Sequence, residues 1–344
     1  MKIDADCHVV ETERTWEYLE PSERKYKPVR VVVNREGETS PEEYWLIDGR
    51  LERWRIFEDQ TETSLESREM ASIETRLRHM DELGVDIQVL YPTLFLFPLT
   101  KNPEVELALC RSYNRWLADI WSKGKGRLRW AAVVPFLTMD AALEELRFAT
   151  QYGACAAALR PHNDHRLLHD PYFYPLYEEC SRLDIPVGVH AANGSFLLRE
   201  QFPGTGTAYY TAKLATVGAM YAMVFSGIPD RFPRLRIGVI EAQASWLPDA
   251  LYYMARQWRR LRGEALPDDL LRSKRVYVSC MSDEDVGYLV QYAGEDNLLI
   301  GSDYGHHDQG SELEALSNLK KQGKLPPHVV DKILEDNPRT FYGL

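Results

Sequence analysis

The chain has 344 residues, of which 44% are hydrophobic and 27% charged, with a formal net charge of −11. This composition suits a globular protein with a large core, and it argues against a nucleic-acid partner because the basic residues do not cluster. The densest basic run, Arg256 to Gly263, is typical of the solvated face of a helix. No stretch approaches the roughly 18 uninterrupted apolar residues of a transmembrane helix, so we expect no membrane partner.

Short apolar runs alternate with amphipathic segments along the chain. Eight runs are nearly continuous in hydrophobicity, as strands buried on both faces must be: residues 2–6, 86–92, 129–135, 155–161, 185–190, 236–241, 275–280 and 297–303. Segments between them, such as 72–84, carry apolar residues at helical spacing. This alternation predicts an α/β protein, a (β/α)8 TIM barrel in which residues 1–344 form one domain. A doubly wound open sheet is the alternative.

Residues 22–70 interrupt this rhythm after the first run. They contain two β-like pieces and the turn signal Asp48-Gly49, which together predict a hairpin-like insertion between the first strand and its helix. Insertions in barrels fall in the loops at the functional face, so the hairpin is expected to line the site. A packing or dimerisation hairpin is the equally weighted alternative.

Ionisable residues stand at the ends of the predicted strands. The first run carries Asp4, Asp6 and His8 at two-residue intervals, which places all three on one face of a strand. Four later runs end in Arg160, His190, Glu241 and Asp303. Because all strands of a parallel barrel end at the same face, these side chains are expected to converge. Asp4 lies inside the strand and is interpreted as structural.

Two carboxylates and two imidazoles in one patch suit a divalent metal. Asp6, His8, His190 and Asp303 offer the oxygen and nitrogen ligands of zinc, and manganese or iron accept the same mixture. Taken singly, such an aspartate more often caps a helix, and such a histidine is more often a hydrogen-bonded core residue. The convergence of all four favours a metal site with one ion, zinc before manganese or iron.

Other residues are candidates for contact with a substrate. Arg160 can form a bidentate pair with a carboxylate, or equally a structural ion pair. Tyr91 and Trp246 are predicted to line the pocket, with core packing as the alternative for Trp246. His306 is predicted to reach the site as a donor or acid, with a loop role as the alternative. Cys7 points to the opposite face of the first strand and is assigned to the core.

Five segments carry a resemblance to a known family: IDADCHVVE, VGVHAANG, RFPRLRIGVIEAQASWLP, LIGSDYGHHD and ILEDNPRTFYGL. The chain resembles the amidohydrolase superfamily, in the branch of aminocarboxymuconate-semialdehyde decarboxylase and γ-resorcylate decarboxylase. The resemblance implies a (β/α)8 fold and one divalent ion.

The resemblance also implies roles for single residues. Asp6 and His8 fall on the family's opening H-x-H, His190 on its strand-five metal histidine and Asp303 on its strand-eight metal aspartate. The chain departs from the pattern twice. Asp6 replaces the first histidine, and Glu241 replaces the histidine that serves as acid/base in the decarboxylases.

Two reaction classes fit these residues. The resemblance favours decarboxylation of a small aromatic or muconate-like acid, whereas glutamate at position 241 favours hydrolysis of an amide, lactone or C–C bond by activated water. In both, Glu241 is the expected acid/base. A non-catalytic ligand-binding barrel is the third alternative. We also expect a homodimer.

The cysteine pattern predicts the cellular compartment of the protein. Five are present, widely spaced and without a CxxC pair, which is typical of free thiols in a reducing environment. The first ten residues lack the charged start and apolar stretch of a secretory signal. A cytoplasmic location is therefore expected.

Overall fold

The computed structural model describes residues 1–34, 42–53, 62–164, 166–202, 205–307 and 310–344. In chain order its strands are β1 (Ile3–Val9), β2 (Val29–Val33), β3 (Glu42–Ile47), β4 (Arg50–Arg53), β5 (Ile87–Pro92), β6 (Leu128–Val133), β7 (Ala154–Leu159), β8 (His162–Asn163), β9 (Arg166–Leu167), β10 (Val187–His190), β11 (Ile237–Ile240), β12 (Val276–Cys280) and β13 (Leu298–Ile300).

The α-helices are α1 (Leu65–Arg68), α2 (Ile73–Leu83), α3 (Pro103–Lys123), α4 (Met139–Gln151), α5 (Tyr174–Leu183), α6 (Phe196–Gln201), α7 (Ala215–Phe225), α8 (Ile228–Arg231), α9 (Leu247–Arg262), α10 (Leu270–Ser273), α11 (Val286–Ala293), α12 (Ala315–Lys321), α13 (Pro327–Asp331) and α14 (Asn337–Tyr342). Two π-helical segments, Tyr209–Leu214 and Lys332–Asp336, precede α7 and α14. None of the described helices is long and apolar enough to cross a membrane.

Eight parallel strands form a nearly closed barrel in the order β1-β5-β6-β7-β10-β11-β12-β13. The two ends of this sheet meet where Asp303 N donates to Asp6 O at 2.9 Å and His8 N donates to Tyr304 O at 2.7 Å. All eight predicted strands are present, and the (β/α)8 barrel is confirmed over the doubly wound sheet. The helix predicted over 72–84 starts after Ser72, whose side chain accepts from Thr75 N, and ends at the left-handed Gly84.

A register shift in β1 separates residues that were expected to share a face. The pairing with β5 slips between Asp4 and Cys7, so the simple two-residue alternation fails there. Asp4 accepts hydrogen bonds from Ser302 N at 2.8 Å and from Ser302 Oγ at 2.5 Å. The prediction that Asp4, Asp6 and His8 lie on one face is therefore wrong for Asp4, whereas its structural interpretation agrees with these bonds. Cys7 is buried in the core, as expected.

The C-terminal helix α14 supplies part of the barrel interior. Phe341 and Tyr342 belong to the apolar cluster that also contains Ile3 and Ala5 of β1. The Tyr342 hydroxyl donates to the carbonyl of Ala5 at 2.6 Å. This packing gives the closing segment of the sequence a structural purpose inside the barrel.

The predicted insertion holds a separate antiparallel sheet in the order β2-β3-β4. Trp45 of β3 is buried against Trp16, with ring centroids 6.0 Å apart. Residues 35–41 and 54–61 of the insertion lie outside the described residues. The single-domain assignment of 1–344 with its insertion at 22–70 stays a prediction.

All five cysteines are free and buried, and burial raises the pKa of each thiol, that of Cys155 to about 12. Because the thiolate is the reactive species, we expect less than one thiol per chain to react with Ellman's reagent within minutes at pH 8. All five should react in guanidinium chloride. A thiol that reacts quickly in the native protein would contradict this burial.

Candidate metal centre

The ends of four barrel strands bring ionisable side chains together. Asp6 and His8 lie on β1, His190 ends β10, Glu241 follows β11 and Asp303 follows β13. Asp6, His8, His190 and Asp303 are each at most 3% exposed. Burial of so many ionisable groups is costly unless a counter-charge compensates them. The strand ends thus bring these side chains together, as the sequence predicted.

The spacing of the ligand atoms fits a metal ion. Nε2 of His190 lies 3.3 Å from Oδ1 of Asp6, and Nε2 of His8 lies 3.6 Å from that atom and 3.3 Å from Oδ1 of Asp303. A tetrahedral zinc ion with bonds of about 2.0–2.2 Å holds its ligands about 3.3–3.6 Å apart. These three distances therefore match the ligand spacing of one divalent ion.

Glu241 and His306 belong to the same cluster. Two overlapping groups have all their ligand atoms within 4.8 Å of one another: Asp6, His8, His190 and Glu241 form one, and His8, Glu241, Asp303 and His306 the other. The predicted ligand set is thus spread over both groups, and Glu241 occurs in each. Its Oε2 lies 3.2 Å from His190 Nε2, as close as the predicted ligands are to each other.

His8 presents a lone pair to this cluster. Its Nδ1 lies 2.9 Å from the carbonyl oxygen of Pro92, which can only accept, so Nδ1 carries the hydrogen. Its buried Nε2 faces the carboxylates and has no hydrogen-bond partner among the described residues. Burial lowers the pKa of His8 well below its usual value, with the same effect from His306 and His190. A neutral imidazole with a fixed tautomer is the form that binds metal.

His306 is fixed in the cluster by a hydrogen bond, a carboxylate neighbour and a ring contact. The Thr93 hydroxyl donates to the carbonyl of Val9 at 2.8 Å, so it accepts from Nε2 of His306, also at 2.8 Å. Nδ1 of His306 lies 2.9 Å from Oδ1 of Asp303, and the ring stacks on His8 with centroids 3.7 Å apart. The structure thus brings His306 to the predicted site, whereas the neighbouring His307 is exposed.

The backbone and the charges around His190 are also unusual. Glu241 and Asp303 leave their strands with φ of 59° and 51°, a region that residues with a side chain seldom adopt and that is concentrated at functional sites. Burial is the largest single effect and opposes protonation of His190, but Asp6, the Ala191 carbonyl and Asp303 together outweigh it, so the pKa of His190 is raised. The carboxylates therefore favour a positive charge at this point, which a divalent ion supplies.

Arg160 lies beside the cluster with one edge of its guanidinium unused. Its Nη1 donates to the carbonyls of Phe95 at 3.2 Å and Phe97 at 3.4 Å. Its buried Nε and Nη2 have no hydrogen-bond partner among the described residues. Nε and Nη2 form the side of the fork that binds a carboxylate with two parallel bonds. Burial lowers the pKa of Arg160, although the Glu106 carboxylate, 3.8 Å from Nη2, acts in the opposite direction.

Arg160 and His190 line the same narrow cavity. Its walls are apolar and come mainly from the segment after β5 and from β6 and β7, including Phe95, Leu96 and Phe136. The space open to the centre of a water-sized sphere is only about 10 Å³, far below the hundreds of Å³ of typical ligand pockets.

Tyr91 and Trp246, the two other predicted substrate contacts, are not among the residues that line this cavity. The Tyr91 ring lies beside the cluster, with its centroid 5.2 Å from that of His190. Its hydroxyl lies 3.0 Å from that of Tyr342, inside the barrel, and Gly188 lacks the Cβ that would collide with it. Trp246 is half-buried at the start of α9, where its indole N–H donates to the carbonyl of Gln243 at 2.7 Å. The pocket-lining roles of both residues stay predictions.

The insertion sheet reaches the loops around the cavity. Asp48, at the turn after β3, accepts from the Thr100 hydroxyl at 2.5 Å. Buried Glu52 of β4 pairs with Arg199 of α6 at 2.7 Å, and the Arg199 guanidinium stacks on Phe97, whose carbonyl holds Arg160. The hairpin is therefore linked to the candidate substrate arginine, and its role as a site-lining or a packing hairpin stays a prediction.

Sequence reasoning missed several residues that support the cluster. Ser311 donates to Oδ2 of Asp303 at 2.6 Å, and Ser279 accepts from Glu241 N at 2.8 Å. Glu11, one of two acids just beyond the first predicted strand, accepts from the amides of Thr93 and Leu94. Short serine side chains give no pattern in one sequence, whereas the position of Glu11 directly after His8 and two apolar residues was a usable signal.

Comparison with known proteins gives a match along the whole chain. The family model described as Amidohydrolase matches residues 3–344. The 2-amino-3-carboxymuconate-6-semialdehyde decarboxylase of Dictyostelium discoideum is 23% identical over 291 residues, which are 79% of this chain and 76% of that protein. The γ-resorcylate decarboxylase of Rhodococcus jostii is 27% identical over 217 residues, 59% of this chain and 66% of that one.

Solved structures share the fold. An amidohydrolase from Mycobacterium avium subsp. paratuberculosis superposes with a TM-score of 0.80 at 19% identity, covering 100% of this chain and 98% of that one. A 5-carboxyvanillate decarboxylase from Novosphingobium aromaticivorans, solved with bound manganese, gives 0.67 at 21% identity over 84% and 87% of the two chains. At these identities the likeness establishes the shared barrel.

Proposed function

Because the chain belongs to the amidohydrolase family, we propose that it is a metal-dependent decarboxylase, a carboxy-lyase that acts without oxidation on a small aromatic or muconate-like acid. One observation carries the proposal: Arg160 and His190 line the same cavity. Nε and Nη2 of Arg160 make no hydrogen bond among the described residues, and His190 belongs to the donor cluster. An arginine that can bind a carboxylate, next to side chains of the kind that bind metal ions, suits an acidic substrate. The named activities of the decarboxylase relatives support the same reaction class.

Asp6, His8, His190 and Asp303 are the residues proposed to hold the ion, with Glu241 within reach of it. When bound, a divalent ion supplies positive charge that orients substrate oxygens and stabilises negative charge. Zinc is the proposed ion, with manganese and iron as alternatives for a set of two carboxylates and two imidazoles.

Three side chains have separate proposed roles in the reaction. Arg160 binds a substrate carboxylate through Nε and Nη2. Glu241 holds the proton that is delivered to the carbon losing its carboxyl group, and His306 is the second candidate for that proton. The C–C bond breaks with its electron pair left on that carbon, the proton takes up the pair, and CO₂ leaves. The step is redox-neutral, and a proton from solvent restores the donor for the next turnover.

Hydrolysis is the second candidate function, favoured by one specific observation. By the resemblance to the decarboxylases, Glu241 takes the place of a histidine, and a carboxylate is a suitable base for water. The two functions are separated by incubating the zinc-loaded protein with hydroxybenzoates, muconates, lactones and amides while CO₂ and hydrolysis products are both measured. CO₂ in step with loss of an acid supports decarboxylation, and products of water addition without CO₂ support hydrolysis.

Replacement of Arg160 by Lys is expected to raise KM for the acid by about tenfold or more and to change kcat less. The reason is that an ammonium cannot reproduce the planar fork. Arg147→Lys is the matched control, because Arg147 forms an ion pair with Glu179 at 2.6 Å, away from the cavity. Steady-state kinetics of both variants provide the test, and an unchanged KM in Arg160→Lys would assign Arg160 to its ion pair with Glu106 alone.

A cytoplasmic location is proposed from the five free thiols. A small carboxylate is the proposed partner of the site, and a second copy of the chain is the proposed macromolecular partner.

A further inference from the structure

Glu241 lies in a loop whose backbone has an uncommon conformation. Both Glu241 and Gln243 are left-handed, with φ of 59° and 51°. Ala242 and Ala244, which alternate with them, are fully buried in the core. The left-handed region is unfavourable for residues that carry a side chain, and it persists where neighbouring contacts enforce it. The contacts of this loop therefore decide where the Glu241 carboxylate lies.

Glu284, in the loop after β12, binds the far end of the Glu241 loop. Its carboxylate accepts hydrogen bonds from the amides of Ala244 at 3.0 Å and Ser245 at 2.7 Å, and from the hydroxyl of Ser245. The amide of Met281 is the fourth donor, at 2.9 Å. Hydrogen bonds to an ionised acceptor are stronger than those between neutral groups. One carboxylate thus joins the loops that follow two neighbouring barrel strands.

The four donors need a carboxylate at position 284. Its Oε1 accepts from both donors of Ser245, and its Oε2 accepts from the amide of Met281. A glutamine has one acceptor oxygen and one NH₂ group, so at one of these places it would set N–H against N–H. Glu284 is half-buried, whereas the adjacent acids Asp283 and Asp285 are exposed. Glu284 is therefore the acid of this run that is turned to the neighbouring loop.

The other end of the Glu241 loop is also bound to β12. Ser279 of that strand accepts from the amide of Glu241 at 2.8 Å. Ser279 therefore fixes the start of the loop and Glu284 fixes its end. Between these two anchors the Glu241 side chain reaches the donor cluster, where its Oε2 lies 3.2 Å from Nε2 of His190.

From these contacts we propose that Glu284 is a positioning residue for Glu241. Its carboxylate keeps the loop in the left-handed conformation that directs the Glu241 side chain to the donor cluster. Glu284 itself belongs to neither donor group and does not line the cavity. The inference rests on the proposed function in one respect, which is that Glu241 handles the proton.

The test is a double-mutant cycle with the full-length, zinc-loaded protein, in which loss of the best substrate of the panel is followed. Glu284→Gln is expected to lower kcat by about 10- to 100-fold, because a small displacement of a catalytic group is enough for such a loss. KM, metal content and the far-UV circular dichroism spectrum should stay near those of the wild type. In the Glu241→Gln protein the same change should alter kcat by no more than about twofold, since the group that Glu284 positions is already absent.

Two further variants complete the experiment. Glu179→Gln is the matched control, because it removes the charge of a buried carboxylate on α5 that accepts from Arg147 at 2.6 Å, outside the barrel. It should leave kcat near the wild-type value. Ser245→Ala is the milder variant of the anchor in case Glu284→Gln does not fold. It removes one donor and keeps the amide, and its smaller loss in kcat should also disappear in the Glu241→Gln protein.

Several results would overturn the positioning role. An unchanged kcat in Glu284→Gln would do so, and so would equal losses with Glu241 present and absent, which would indicate a general structural role. Loss of the ion in Glu284→Gln would connect Glu284 with the metal instead of the proton. A wild type that forms hydrolysis products without CO₂ contradicts the proposed decarboxylation alone, because the cycle follows substrate loss. Near-normal kcat in Glu241→Gln with the ion retained would remove the roles of Glu241 and Glu284 together.

Discussion

Replacing His190 or Asp303 by alanine is expected to remove the bound ion and to lower CO₂ release by about 10³-fold or more. The charge stabilisation that a metal supplies is worth several kcal/mol, and each 1.4 kcal/mol or so is a factor of ten in rate. Both side chains are buried in the cluster, where Nε2 of His190 lies 3.3 Å from Oδ1 of Asp6 and Oδ1 of Asp303 lies 3.3 Å from Nε2 of His8. The wild type should contain about one ion per chain by elemental analysis.

Asp4→Asn is the matched control for these ligand variants. Asp4 lies on the same strand as Asp6, but the register shift turns it to Ser302 and Gln88. It should retain the ion, even if the free energy of unfolding falls. If His190→Ala and Asp303→Ala proteins fold normally and keep their full metal content, the ligand assignment is wrong.

Replacing Glu241 by Gln is expected to lower kcat by about 10² to 10⁴ while the metal content stays near that of the wild type. The amide keeps the shape of the side chain and most of its hydrogen bonds but cannot hold or deliver the proton. Because Glu241 Oε2 is only 3.2 Å from His190 Nε2, metal analysis must accompany the kinetics.

Two outcomes would change the role of Glu241. Loss of the ion in Glu241→Gln would make Glu241 a ligand, in agreement with its place in both donor groups. Near-normal turnover with the ion retained would transfer the proton to His306, and His306→Gln would then carry the large loss in kcat. Gln is the matched change because its amide nitrogen can take the place of Nε2 as the donor to Thr93.

The barrel could be predicted because strands buried on both faces leave a direct mark in the sequence. Eight apolar runs with helices between them allow few arrangements, and each run corresponds to a strand. The convergence of His190, Glu241 and Asp303 followed from the parallel topology alone. It needed no knowledge of side-chain contacts.

The error at Asp4 has a local cause that the alternation rule does not contain. A one-residue register shift moved Asp4 away from Asp6, and nothing in IDADCHV marks it. The position of Tyr91 inside the barrel likewise depends on the space left by Gly188 and on the hydroxyl of Tyr342, which no local pattern shows.

Arg160 shows a different limit of sequence reasoning. Its position at a strand end suggested a substrate contact and a structural ion pair equally. Only the structure shows which contacts each edge of the guanidinium makes. Nη1 is held by the carbonyls of Phe95 and Phe97, Glu106 stays at 3.8 Å, and the Nε and Nη2 edge makes no hydrogen bond among the described residues. Such a division depends on a loop conformation that a local sequence pattern does not specify.

The most direct test of metal-dependent decarboxylation is a metal titration of the chelator-stripped protein with its best acid from the panel, followed by CO₂ release. We expect almost no CO₂ from the stripped protein, and a rate that rises with added zinc, manganese or iron and saturates near one ion per chain. Full CO₂ release by the stripped protein, or turnover of the reloaded protein that yields hydrolysis products without CO₂, would contradict the account.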